Sequence, residues 1–312
     1  VDNDGFNRLL LATQLTAREI VVLRACCRYL VQTGLPFSQS YMEQTLANHA
    51  DVAGDLFRLF ELQFDPTMAR ARESRVARLA ERIRARLEAV RSADEDRILR
   101  AYLALIGAML RTNYYCPALD GSEPRALAFK LDPARIPDLP LPRPRFEIFV
   151  FSPRVEGVHL RMGAVARGGL RWSDRREDYR TEILGLMKAQ NVKNTLIVPV
   201  GAKGGFVCRK LPANRDEVQK EVVACYQDFI RGLLDVTDNI VDGKVAPPER
   251  TVRRDADDTY LVVAADKGTA TFSDIANALS REYGFWLDDA FASGGSAGYD
   301  HKKVAITARG AW

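Results

Sequence analysis

The sequence lacks several patterns that would assign it to common protein classes. Its 312 residues contain no run of about 18 apolar residues, the length that crosses a bilayer, and no charged-then-apolar leader at residues 1–4. The dinucleotide-binding pattern G-x-G-x-x-G is missing. Five scattered cysteines without a C-x-x-C pair, and three histidines, match neither a disulfide framework nor zinc-ligand spacing. We therefore predict a soluble, cytoplasmic protein that holds no metal.

The sequence also has no large excess of charge of one sign. Lys and Arg total 45 against 41 for Asp and Glu, so the net charge of +4 is too small to indicate a nucleic-acid or membrane partner. The stretch 68–100 is rich in arginine, and a basic helix that binds nucleic acid is one interpretation of it. Its interleaved acids favour the other interpretation, a solvated helix face with salt bridges.

The chain divides into three stretches of different composition. Apolar residues recur at helical spacing in residues 1–115, which predicts an all-α region of four or five helices. Residues 116–145 are rich in proline and predict a linker between domains. Residues 146–312 alternate predicted strands and helices, which indicates an α/β domain with a mixed sheet. Its predicted strands are 146–151, 158–162, 195–199, 205–208 and 260–264, and its predicted helices are 177–191, 214–234 and 271–283.

Two basic, glycine-containing segments of the α/β domain are candidates for a binding site. Arg167 and Arg171 enclose two glycines, and an arginine can bind a carboxylate through two parallel hydrogen bonds. Lys193 and Lys203 flank the predicted strand 195–199, and Lys203 is predicted to lie in a glycine-rich turn. Two converging ammonium groups lower each other's pKa, which makes a lysine usable in acid–base chemistry. Taken separately, each segment also fits an ordinary turn or a surface lysine.

These segments and two later ones resemble the substrate domain of glutamate dehydrogenases, whose motifs they repeat in order. The resemblance is closest to the large, multidomain bacterial NAD-specific enzymes, and it extends from the strand at Phe146 to Trp312. The helical region resembles what precedes that domain in those enzymes. The matching motifs are Gly168-Gly-Leu-Arg171, Gln190-x-x-Lys-Asn-Thr-Leu196, Pro199-x-Gly-Ala-Lys-Gly-Gly205, Ala264-Ala-Asp-Lys-Gly-Thr269 and Ala305-Ile-Thr-Ala-Arg-Gly310.

The resemblance implies a role for each matching position. Lys193 and Gln190 match residues that hold the α-carboxylate of the substrate. Lys203 matches the catalytic lysine that helps to activate the attacking water, and Asp266 matches the catalytic aspartate that exchanges protons with the substrate nitrogen. For Asp266 the alternative is a loop residue that caps the following helix.

The side-chain carboxylate of the substrate is expected near Arg167, Gly168, Gly169 and Arg171. In the compact enzymes of the family a lysine precedes Gly-Gly-Leu-Arg, whereas this chain has Arg167 there. Arginine keeps the charge but is longer and planar, so Arg171 is expected to share the task. The spacing from Lys193 to Lys203 is also two residues shorter than in the compact enzymes.

The resemblance implies NAD-dependent oxidative deamination of L-glutamate to 2-oxoglutarate and ammonia. NAD is expected to bind mainly to a Rossmann domain beyond residue 312, so the fragment alone is expected to be inactive, and the full-length protein is expected to be a homo-oligomer. Two alternatives remain. One is another amino-acid dehydrogenase of the same fold, although the two arginines argue against an apolar substrate side chain. The other is a regulatory or assembly module.

Overall fold

The computed structural model describes residues 2–193, 200–296, 304–305 and 309–310. Within these ranges no helix is long and apolar enough to span a membrane. The α-helices are α1 Leu9–Ala12, α2 Ala17–Gln32, α3 Gln39–Asn48, α4 Ala50–Phe64, α5 Arg72–Leu87, α6 Ala93–Ala108, α7 Tyr179–Lys193, α8 Arg215–Leu234 and α9 Ser273–Glu282.

The N-terminal region is helical as far as Ala108, and after the short α1 the helices α2 to α6 give the predicted number. Met109–Thr112, inside the stretch predicted as all-α, instead form an edge strand of the main sheet. Thr16 begins α2 with a capping box, in which its hydroxyl and the carboxylate of Glu19 satisfy each other's backbone N–H groups. The arginine-rich stretch forms α5, whose Arg82 and Arg86 both pair with Asp55 of α4. These exposed pairs support the interpretation as a salt-bridged face.

The strands form one mixed sheet and one small hairpin. The eight-stranded sheet has the order β1-β2-β3-β4-β6-β5-β9-β10. Its first four pairings are antiparallel, whereas β5 runs parallel to β6 and to β9, and β9 runs parallel to β10. The strands are β1 Met109–Thr112, β2 Leu127–Leu131, β3 Phe146–Phe151, β4 Val155–Arg161, β5 Ala166–Trp172, β6 Val200–Cys208, the hairpin strands β7 Asn239–Val241 and β8 Lys244–Ala246, β9 Val262–Ala265 and β10 Ala292–Ser293.

The structure corrects two predictions made from the sequence. Residues 116–145 are not a linker throughout, because β2 lies within them and pairs with β1 and β3 in the main sheet. Proline is dense on both sides of Leu127–Leu131 but absent inside it, so the ladder keeps its N–H donors. The second correction concerns Lys203, Gly204 and Gly205, which lie inside β6 and not in a turn. The predicted strand 195–199 lies outside the described residues.

Glycines let β6 run through the centre of the sheet. A side chain at Gly204 would come within 2.4 Å of Leu170, and one at Gly205 within 2.3 Å of Ile183 on α7. The glycine pair therefore serves close packing of α7 and β5 against β6, which explains why a turn-like sequence forms a strand.

The sheet is covered on both faces. In β3, Phe149 and Phe151 belong to the core formed with the N-terminal helices and α7, whereas Ile148 and Val150 belong to the core formed with α8 and α9. This alternation follows from the two-residue period of a strand. Because the helical region and the sheet share one core, α2 to α6 pack directly against the domain that carries the predicted site.

A buried ionic network fixes the segment that leads into β9. Lys130 donates to Asp255 and Asp258 at 2.5 Å each, and Arg161 donates to Asp258 Oδ1 at 2.9 Å. Arg111 contacts Asp255 at 2.6 Å and Asp238 at 2.7 Å. Burial alone would raise the pKa of Asp258, but Arg161 and Lys130 hold that pKa well below its usual range. Asp258 is therefore ionised, and both of its cationic partners, Lys130 and Arg161, are buried.

We expect Asp258→Asn to lower the free energy of unfolding by about 3–5 kcal/mol at neutral pH, because the buried Arg161 would lose its counter-ion and Lys130 would keep only Asp255. Urea titration of the folded chain measures this change. The matched control is Asp178→Asn, which removes an exposed pair with Arg175 and is expected to cost at most about 1 kcal/mol.

The cost of Asp258→Asn is also expected to depend on pH. A carboxylate with a depressed pKa contributes its full stability above the ordinary value of about 3.9 and loses it as the pH falls below that value. The difference in the free energy of unfolding between wild type and Asp258→Asn should therefore become smaller in acid. Equal losses of stability for Asp258→Asn and Asp178→Asn at neutral pH would contradict this account.

Candidate active site

The predicted catalytic residues lie where β5 is flanked by β6 and β9. Leu170 of β5 pairs with Gly204 of β6 on one side and with Ala265 of β9 on the other. Lys203 lies next to Gly204 in β6, and Asp266 directly follows the end of β9. The parallel strands thus bring together two residues that are 63 positions apart in the sequence.

Lys203 and Asp266 form a direct ion pair. The Nζ of Lys203 donates to Oδ2 of Asp266 at 2.7 Å, and the two side chains are 18% and 13% exposed. Lys203 is therefore not an ordinary surface lysine. The partial shielding from water strengthens the interaction of the two charges, and the remaining exposure leaves the pair within reach of a small molecule.

The carboxylate of Asp266 is held through both oxygens. Oδ1 accepts from the backbone N–H of Lys267 at 2.7 Å and from Nη2 of Arg171 at 3.2 Å. Burial alone would raise the pKa of Asp266, but these bonds and the one from Lys203 outweigh burial, so the pKa is below its ordinary value. Asp266 is consequently ionised at neutral pH and can act as a proton acceptor.

A short turn fixes the backbone of Asp266. The backbone N–H of Asp266 donates to Oγ1 of Thr269 at 3.1 Å, and that hydroxyl donates to the carbonyl of Leu170 at 2.5 Å. Gly268 has a φ of +82°, and a side chain there would come within 2.9 Å of Trp172. The alternative role of Asp266 as a helix cap does not fit, because its side chain contacts Lys203 and Arg171 while α9 begins at Ser273.

Gly168 and Gly169 make room for the ion pair. A Cβ on Gly168 would lie 1.6 Å from the carbonyl oxygen of Ala202 in β6. A Cβ on Gly169 would lie 2.8 Å from the carbonyl oxygen of Ala265 and 3.3 Å from Nζ of Lys203. Both positions therefore require a residue without a side chain, and Gly169 forms the surface against which Lys203 and Asp266 meet.

The predicted carboxylate-binding residues are only partly placed. Arg167 is exposed in β5, and its carbonyl accepts a hydrogen bond from Nε2 of Gln190 on α7 at 3.2 Å. Lys193 ends α7, and its side chain lies outside the described residues. Gln190 and the glycine pair are thus neighbours, since a side chain on Gly168 would approach the amide oxygen of Gln190 to 3.1 Å.

Arg171, which is predicted to share the binding of a substrate carboxylate, already contacts two carboxylates of the protein. Its Nη1 donates to Glu182 at 2.8 Å and its Nη2 to Asp266 at 3.2 Å, so both ends of the guanidinium face carboxylates of the protein. The sequence interpretation treated Arg171 as a free cation because the partners of a charged side chain are fixed only in the fold.

Sequence reasoning missed Glu182. It lies in the first turn of α7, eleven residues after Arg171, and its second oxygen accepts from the hydroxyl of Ser173 at 2.6 Å. The available signal was an acid in the first turn of the helix that follows the glycine-arginine strand, but such acids are common because they complement the helix dipole.

Comparison with known families and proteins agrees with this geometry. Residues 82–312 match the family described as bacterial NAD-glutamate dehydrogenase, catalytic domain, and residues 1–66 match glutamate dehydrogenase, helical motif 3. The chain belongs to the bacterial NAD-glutamate dehydrogenase family. The expected resemblance is therefore confirmed, together with the mixed α/β fold that follows a helical region.

Several curated bacterial relatives bear the name NAD-specific glutamate dehydrogenase. The protein of Halomonas elongata is 59% identical over the whole of this chain, and those of Pseudomonas aeruginosa and Mycobacterium tuberculosis are each 58% identical. The chain spans 19% of the length of the first relative and 20% of each of the other two. The chain thus covers about one fifth of the length of these relatives within the bacterial NAD-glutamate dehydrogenase family.

In this family member we expect Gly168→Ala to disrupt the site, since the new methyl group would overlap the backbone of β6. We expect a loss of at least about 1–3 kcal/mol of stability, as for overpacking of a core. Thermal unfolding measures it. The matched control is Gly185→Ala on α7, where a Cβ would meet no atom within 4 Å beyond the helix's own backbone and where alanine is expected to stabilise the helix by about 0.5–1 kcal/mol. An unchanged Gly168→Ala variant would contradict the proposed close approach.

Proposed function

We propose that this chain supplies the substrate site and the acid–base residues of an enzyme that oxidatively deaminates L-glutamate to 2-oxoglutarate and ammonia with NAD. The observation that carries the proposal is the ion pair between Lys203 and Asp266 beside Gly169. Family membership and the names of the relatives support the choice of substrate and coenzyme.

Lys203 and Asp266 carry the acid–base chemistry in this proposal. Asp266 is an ionised carboxylate that accepts and returns the protons of the substrate nitrogen. The ammonium of Lys203, 2.7 Å from that carboxylate, polarises the reacting centre and helps to activate the water that attacks the imine of the substrate. The pair is electrically neutral as a unit, so a proton can shift within it without leaving a net charge in a partly buried site.

The carboxylates of glutamate bind on the exposed side of this pair. Arg167 offers an exposed guanidinium for the side-chain carboxylate, and Gln190 and Lys193, both on the last turn of α7, are assigned to the α-carboxylate. The glycine pair lets the substrate lie directly against the backbone of β5. Such a cationic rim selects a dicarboxylate over a substrate with an apolar side chain.

NAD, when bound, accepts the hydride from the substrate. The part of the chain that the structure describes does not offer the glycine-rich turn at a helix N-terminus that holds a pyrophosphate. Residues 173–178, which connect β5 to α7, contain three acids and no glycine. We therefore assign NAD binding to a part of the full-length protein outside this chain and assign no step of the coenzyme to the residues described.

We further propose a cytoplasmic homo-oligomer. All five cysteines are buried free thiols, as is usual in a reducing compartment, and this supports the location.

The decisive experiment measures glutamate turnover by the full-length enzyme that contains this chain. We expect Lys203→Ala and Asp266→Asn each to lower kcat by about 10²–10⁴, the usual contribution of general acid–base catalysis. The matched control is Lys188→Ala, which removes an exposed lysine of α7 on the same domain and should leave kcat unchanged.

Other outcomes of that experiment favour the alternatives. Turnover of leucine above that of glutamate by the wild type would indicate another amino-acid dehydrogenase. A changed oligomer size in Lys203→Ala, with activity per subunit retained, would indicate an assembly module. Glutamate turnover by the isolated 312-residue chain would contradict the assignment of NAD to another part of the protein.

A further inference from the structure

Arg171 lies between two carboxylates in the candidate active site. Its Nη2 contacts Oδ1 of Asp266 at 3.2 Å, and its Nη1 contacts Oε1 of Glu182 at 2.8 Å. The other oxygen of Glu182 accepts from Ser173 at 2.6 Å. The side chains of Arg171, Glu182 and Asp266 are 19%, 14% and 13% exposed, so the whole bridge is largely shielded from water.

The charges of this group balance. Lys203 and Arg171 contribute two positive charges, and Asp266 and Glu182 contribute two negative charges. A substrate carboxylate that took the place of Glu182 on Arg171 would leave Glu182, which is 14% exposed, with the hydroxyl of Ser173 but without its cation. That loss is costly, because an unpaired charge away from water pays its full desolvation penalty.

The two carboxylate oxygens of Asp266 accept hydrogen bonds from different donors. Oδ2 accepts from Lys203, whereas Oδ1 accepts from Arg171 and from the backbone of Lys267. When Lys203 turns toward the reacting atoms, Oδ1 therefore keeps its two bonds and Oδ2 is left free to take a proton. Only Arg171 among these side chains can hold the carboxylate in place during that exchange.

We propose that Arg171, anchored by Glu182, is a positioning residue for Asp266 and not a ligand of the substrate. This inference rests on the proposed function of Asp266. It also gives Glu182 a role that connects α7 to the catalytic turn, because the same helix carries Gln190 and Lys193 at its other end.

A nearby pair provides the contrast that the test requires. Arg175 and Asp178 lie in the same connection between β5 and α7, but their side chains are 49% and 46% exposed and, among the described residues, form their hydrogen bonds with each other. Removing Arg175 therefore deletes an arginine–carboxylate pair of the same chemistry without touching Asp266.

The experiment compares Arg171→Ala, Arg171→Lys, Glu182→Gln and Arg175→Ala in the full-length enzyme, with kcat, the KM for glutamate and the pH profile of kcat/KM as readouts. We expect Arg171→Ala to lower kcat by about 10²-fold while KM changes less than about threefold, because misplacement of a catalytic group by about 1 Å has an effect of that size. Loss of the cation raises the pKa of Asp266, so the acid limb of the profile should move to higher pH.

The other variants separate the effect of the geometry of Arg171 from the effect of its positive charge. Arg171→Lys restores the acid limb because it keeps the positive charge, but it recovers kcat only in part, since one ammonium cannot bridge both carboxylates. Glu182→Gln should lower kcat by about tenfold with KM unchanged, as expected for a group that acts on the transition state alone. Arg175→Ala should behave as wild type.

Two results would overturn the inference. One is a rise of the KM for glutamate by more than about tenfold in Arg171→Ala, with or without a fall in kcat, which would make Arg171 a substrate ligand. The other is a wild-type kcat and a wild-type pH profile in both Arg171→Lys and Glu182→Gln. These two variants keep the test informative if Arg171→Ala fails to fold. A wild-type enzyme without glutamate turnover would instead contradict the proposed function itself.

Discussion

The geometry of the candidate active site depends on how closely the backbone of β5 approaches its two neighbours. At Gly168 and Gly169 the carbonyl groups of β6 and β9 occupy the space in which any side chain would stand. Because three parallel strands can close up there, Lys203 from one neighbour and Asp266 from the other meet at 2.7 Å. The residues without side chains thus set the distance between the two residues to which we assign the acid–base chemistry.

Charge is used in two ways on the same sheet. Around Lys130 and Asp258 the ions are fully buried, paired on every side and fixed, and they hold the segment that precedes β9. Around Lys203 and Asp266 the ions remain partly exposed, as the proposed exchange of partners with a substrate requires. The first group thus fixes the segment that leads into β9, and Asp266 directly follows the end of that strand.

The helical region is built into this arrangement. Gln32 of α2 donates to the carbonyls of Arg176 and Glu177, and its amide oxygen accepts from the backbone of Arg180, where α7 begins. Arg28 of the same helix pairs with the buried Glu156 of β4. The start of α7, and with it Glu182, is therefore held by the helical region as well as by the sheet.

The sequence by itself determined the helical spacing of the N-terminal region and the existence of most strands and helices after Phe146. It also identified Lys203 and Asp266 as candidate site residues. These features can be predicted because periodicity and local motifs are properties of neighbouring residues. Only the tertiary structure decided that Leu127–Leu131 joins the sheet, that Lys203-Gly204-Gly205 is strand and that Arg171 is bound by Glu182. Strand pairing and the partner of a charge depend on residues far apart in the chain, which local patterns do not contain.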